Sequence, residues 1–171
     1  MGRVVISNSI RFLLLVATQV FLLKNIGYYN LSVPYLYILF ILVLPFGISN
    51  SLLFLLAFFT GLTIDFYYDS LGLNAAACTI MAFVRIIFIN LTVQRDGFDN
   101  EPEPRLGIMG FQWFIFYAFI LTFSHHFILF TFENFKFSEF GYTLLRILLS
   151  TLFTVSLILI TEFAFLQKKA R

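Results

Sequence analysis

Seven ionisable side chains stand inside apolar stretches of this chain: Arg11, Asp65, Arg85, His125, His126, Arg146 and Glu162. In hydrocarbon each needs a partner, water or a place at the interface, and each is by default a candidate for function. The densest context belongs to Asp65, in Gly61-Leu-Thr-Ile-Asp65-Phe-Tyr-Tyr-Asp69-Ser-Leu-Gly72, where one apolar run ends and the next begins. Glycines on both sides of that aspartate point to close helix approach and a tight turn. Other chemistries find less support. His125 and His126 are adjacent, so they point about 100° apart on a helix, and no Cys or acid stands three or four residues away to complete a metal site. Ser124 beside His125 has no third group to orient it. A proton or ion path needs a file of acids through the membrane, whereas mid-segment positions offer mainly Thr18, Gln19 and Thr122. No glycine loop suited to cradling phosphate is present. The residues give no positive sign of an enzyme, a cofactor or a metal.

The elements that must position these charges are set by composition. The chain has 171 residues, 60% of them hydrophobic, 20% aromatic and 12% charged, and its mean hydropathy is +0.93. Globular domains run at about 45–50% apolar and about 25% charged, and a soluble protein of this size cannot hide the difference. Lipid is therefore the solvent. A net charge of +2 with scattered basic residues excludes a nucleic-acid partner. Cys78 is the one cysteine, so no intrachain disulfide forms, and its place after three alanines marks it as a packing residue. The 25 phenylalanines read as lipid-facing bulk.

Hydropathy predicts six apolar segments, over about Val4–Leu23, Pro34–Pro45, Asn50–Tyr68, Leu73–Val93, Met109–Phe132 and Glu139–Leu166, with Asn50 as the N-cap of the third. They form one domain, 1–171, read as a compact all-α bundle of six transmembrane helices. The polar loop 94–108, with two prolines and four acids, and the basic tail 167–171 are the only strongly polar stretches. Six spans put both termini on one side, which then carries Arg3, Arg95, Arg105, Lys168, Lys169 and Arg171 against Lys24 and Lys136 opposite. That asymmetry predicts cytoplasmic termini, a cytoplasmic loop 94–108 and an outward-facing turn at Asp65–Asp69. Trp113, Tyr117, Tyr67, Tyr68 and Tyr142 then fall near segment ends, where aromatic belts are expected. A rise of about 1.5 Å per residue sorts the buried charges by depth into an outer layer of Asp65, His125 and Arg146 and an inner layer of Arg11, Arg85 and Glu162. The expected pairs are Asp65 with Arg146 and Arg85 with Glu162, serving to hold helices in register or to form a site.

At Gly61 through Ala75 the chain resembles the MreD family of bacterial rod-shape-determining membrane proteins, which carry a Gly-x-x-x-Asp element, a short turn and Gly-Leu/Ile-x-Ala opening the next helix. Length, six spans and a short basic tail agree with it. The matching positions are Gly61, Asp65 and Gly72, with Asp69 in the same hairpin. The resemblance implies a non-enzymatic component of the cell-elongation machinery in the bacterial inner membrane. It also implies association with a single-span MreC-type periplasmic protein and, through it, with MreB-type filaments and the cell-wall synthases. It implies a helix arrangement like that of the substrate-binding subunits of energy-coupling-factor vitamin transporters. The charged loop after the fourth segment and the phenylalanine load depart from the family's pattern. A vitamin-binding transporter subunit, with a ligand near Asp65, His125 and Arg146, is the competing expectation. Small-residue faces at Gly61 and Ala75–Ala77 suit either a partner helix or internal packing.

Overall fold

The computed structural model describes residues 2–26, 32–96, 103–133 and 140–169. The side chains of Arg3, Arg95, Lys168 and Lys169, and the whole of Lys136 and Arg171, on which the orientation rests, lie outside the described part, as does the stretch 97–102 of the polar loop.

Long runs without proline become long helices, and they do so close to the expected bounds. Helix α1 spans Gly2–Ala17 and continues as a π-helical stretch over Thr18–Leu23. After a short α2 (Leu39–Leu42) come α3 (Asn50–Tyr68), α4 (Leu73–Asp96), a one-turn α5 (Leu106–Met109), α6 (Phe111–Glu133) and α7 (Phe140–Lys169). Five of these helices are long and apolar enough to cross a membrane. The residue flanking α3 in extended conformation is Ser49, so the N-cap lies one position before the expected Asn50.

The second segment departs from expectation. Between Pro34 and Pro45 there is no membrane-length helix, only a 3₁₀ turn over Leu36–Ile38 and α2 over Leu39–Leu42. Seven helical residues rise about 12 Å, well short of the ~30 Å of a bilayer core. Yet Tyr35 through Leu44 are all buried. The segment runs through the inside of the bundle. Tyr37 lies against Asn74 in the first turn of α4, and the Leu44 carbonyl lies against Arg85, eleven residues further along the same helix. Lys24 donates to the Tyr67 carbonyl, and Gln19 to the Tyr68 hydroxyl, so α1 ends beside the end of α3. Residues 32–50 therefore return the chain along the roughly 28 Å length of α3.

Around this central segment, α3 packs on α4, α4 on α6 and α6 on α7, while α1 touches mainly the segment itself. Tyr37, Ile38, Ile41, Leu42, Phe114 and Phe130 form the heart of the core. Phenylalanines divide by face: Phe21, Phe66 and Phe116 point outward, and Phe40, Phe114 and Phe130 are buried.

Candidate functional site

The densest polar cluster stands where α3 hands over to α4. Asp69 adopts the left-handed conformation (φ 52°) that ends α3, and Gly72 follows at φ 83°, a backbone region open mainly to glycine. This tight reversal brings the first turn of α4 over the last turn of α3. The N–H groups at a helix start have no partner within the helix, and two of them meet the Asp65 carboxylate. Asp65 Oδ1 accepts from Asn74 N at 3.0 Å and Asn74 Nδ2 at 3.0 Å, and also from the Ser70 hydroxyl. Oδ2 accepts from Ala75 N at 2.9 Å. The carboxylate is buried, and its charge is balanced by backbone dipoles and amide donors at a helix N-terminus. The approach is possible because residue 61 is glycine: a Cβ there would sit 2.5 Å from Ala75 N and Cα. The small face of Gly61 and Ala75 is thus used inside the molecule.

The expected pair of Asp65 with Arg146 does not form. Arg146 lies over the Phe130 ring at 4.2 Å and pairs with Glu133 at 3.1 Å. Depth placed the two charges at one level, but they face different neighbours around the bundle. His125 does join Asp65, through two intermediates: Asn74 Nδ2 donates to Asp65, the Tyr37 hydroxyl donates to Asn74 Oδ1 at 3.0 Å, and His125 Nε2 lies 2.8 Å from that hydroxyl. With the tyrosine proton on Asn74, the network assigns the His125 proton to Nε2. This line ties α3, α4, the central segment and α6 together. Tyr35 packs beside both histidines, at ring separations of 6.0 and 5.3 Å, and His126 lies 3.3 Å from Thr151 Oγ1.

At the opposite end Arg85 is not paired with Glu162. Its Nε donates to the Tyr117 hydroxyl at 3.1 Å, and its Nη2 to the carbonyls of Leu44 and Pro45. These carbonyls follow the short helix over Leu39–Leu42, two and three residues past its end, and their partial negative charge suits a cation. Glu162 instead meets Arg105 at 3.5 Å; Arg105 bonds Glu103 at 2.7 Å, and Glu103 reaches Arg11 at 3.5 Å. The polar loop thus folds two of its charges back onto α1 and α7. A cavity of about 110 Å³ opens beside them, lined by Arg105, Gly107, Ile108, Glu162, Phe165 and Leu166.

Several further polar groups serve the broken backbone of the central segment. Val33 N–H donates to Ser150 Oγ at 3.0 Å and Tyr35 N–H to Thr154 Oγ1 at 3.1 Å. Gln19 donates to the Pro34 carbonyl at 3.0 Å, and Arg11 to that of Val43 at 3.4 Å. Tyr117 donates to the Leu42 carbonyl at 2.7 Å, and its ring stacks on Trp113 at 4.8 Å. Irregular backbone at membrane depth is tolerated only where protein surrounds it and supplies such partners. Tyr117, expected at an interface belt, is instead a fully buried brace.

No family model, characterised protein or solved structure matches this chain. The geometry speaks alone. Among the described residues no three His, Cys, Asp or Glu side chains gather as a metal-binding group, and Cys78 lies buried 3.7 Å from the Tyr37 hydroxyl. Tyr37, Asn74, Glu103, Glu133, Ser150 and Thr154 escaped the reading of the sequence. A signal existed for some: Ser150 and Thr154 stand four apart on one helix face, and Ser70 and Asn74 follow Asp65 closely.

Proposed function

We propose that this protein is a non-enzymatic scaffold of the bacterial cell-elongation complex, an MreD-type protein of the inner membrane that binds a single-span MreC-type partner. In this reading the chain crosses the membrane six times, five times on long helices and once through the buried segment, and both termini are cytoplasmic. MreB-type filaments and the cell-wall synthases are contacted indirectly, through the partner.

One observation carries the reading. The residues that bear the resemblance act as a single device: Gly61 admits α4, Gly72 reverses the chain, and Asp65 caps the helix that follows. A motif whose every member builds architecture suits a protein that works by shape. The charges of the bundle support it as well, since Asp65, Arg85 and Arg11 are engaged with backbone groups. Because Gly61 and Ala75 are occupied by the α3–α4 contact, the partner's span has to use another face.

The test is gentle-detergent purification of the tagged full chain from its native membranes. Co-purification of a single-span periplasmic coiled-coil protein, lost when the cells lack that protein's gene, is the expected result. Recovery of ATPase subunits or a bound vitamin-like molecule would move the function to transport, and recovery of the chain alone would refute the scaffold.

A further inference from the structure

Hydroxyls on apolar helices usually bond back to a carbonyl four residues earlier in their own helix. Thr60, Thr63, Thr79, Thr92, Ser156 and Thr161 all do so here, on Leu56, Phe59, Ala75, Phe88, Leu152 and Leu157. Ser150 and Thr154 are engaged differently. They are fully buried and accept the Val33 and Tyr35 N–H groups of the central segment. Those two N–H groups lie just before the 3₁₀ turn, where no helical carbonyl precedes them. The other end of the segment is held by α4 and α6, through Arg85 and Tyr117.

We propose that Ser150 and Thr154 form a two-hydroxyl clamp by which the last helix holds the segment around residues 33–44 inside the bundle, so that this passage closes only after α7 is in place. The clamp residues stand 117 and 119 positions beyond the groups they hold. At about 5–20 residues per second, synthesis separates the two by on the order of ten seconds. Through that interval the segment has two unpaired N–H groups and too little helix to span hydrocarbon, which favours a position outside the apolar core.

The experiment is hydrogen–deuterium exchange, read by mass spectrometry, on the full-length protein in mild detergent. In Ser150→Ala/Thr154→Val, amide exchange over 32–42 should quicken by about tenfold or more, because two buried donors lose their acceptors. The back-bonding pair Ser156→Ala/Thr161→Val should leave the same peptide unchanged, and Thr154→Ser, which keeps the hydroxyl, should retain most of the protection. Unchanged exchange over 32–42 in the clamp variant would overturn the proposal. So would an equal response to the control pair, or a loss of protection spread evenly over α3, α4 and α6.

Discussion

Replacing Gly61 by alanine adds one methyl group, and the structure says where it would go. The new Cβ would lie 2.5 Å from Ala75 N and Cα, whereas ordinary contact begins at 3.4 Å. The obstacle is backbone, which cannot swing aside as a side chain can. Helices α3 and α4 must therefore part by about 0.9 Å at this level. The Asp65 bonds to Asn74 N and Ala75 N, now 3.0 and 2.9 Å, would stretch toward 3.9 Å, past the range of a hydrogen bond. Overpacking costs about 1–3 kcal/mol, and a hydrogen bond to a charged group contributes about 1.5–3 kcal/mol. These terms overlap, because relieving the clash is what breaks the bonds, so the expected loss is about 3 kcal/mol, roughly a hundredfold in the folding equilibrium. Gly141→Ala is the control, since a Cβ there meets nothing within 4 Å. The assay is reversible unfolding of both variants in mixed micelles, titrated with denaturing detergent. A Gly61→Ala protein within about 0.5 kcal/mol of the parent, the range typical of neutral surface changes, would refute the close-approach argument.

Three further outcomes follow from the contacts. Asp65→Asn keeps the shape but turns one acceptor into a donor facing N–H or O–H groups; it should destabilise the fold by about 2 kcal/mol in the same titration, and a neutral result would show that the carboxylate is not needed. Arg85→Leu leaves the Leu44 and Pro45 carbonyls without their donor; stability should fall by about 3 kcal/mol, and Arg85→Lys should rescue only part of it, because an ammonium lacks the fork that reaches Tyr117 as well. For the charge at 146, Arg146→Glu should lower accumulation in membranes, and Glu133→Arg should partly restore it; restoration by Asp65→Arg instead would reinstate the pairing that the structure replaces.

Much of the scaffold is legible in the residues, and the reason is hydropathy. Asn50–Tyr68 was bounded by composition alone, and the other long helices shift by only a few residues. The interior of the bundle is less legible. Depth follows from counting along a helix, which is why Asp65 and His125 fall in one connected cluster and Arg11 and Glu162 in another. Direction around the helix axis does not follow from counting, so Asp65 and Arg85 have other partners than their level suggests. Both differences share a cause: the partner of a buried charge need not be an opposite charge. Asp65 is satisfied by the start of α4, and Arg85 by the carbonyls that follow α2, partners that belong to the backbone and leave no mark in residue type. The second segment carries a usable clue in its length, ten residues between Pro34 and Pro45, too few for a spanning helix.

Trp113 gives this bundle a built-in optical reporter. It is the only tryptophan in the sequence, and its indole lies on the ring of Tyr117, whose hydroxyl holds the Leu42 carbonyl and receives Arg85. Light absorbed at the long-wavelength edge of the indole band is therefore emitted from one place, two contacts from the central segment. Any ligand, partner or substitution that loosens the segment at that end changes the stacking, and with it the wavelength and lifetime of the emission. The state of the least regular part of the fold is open to measurement in unlabelled protein, without a single engineered residue.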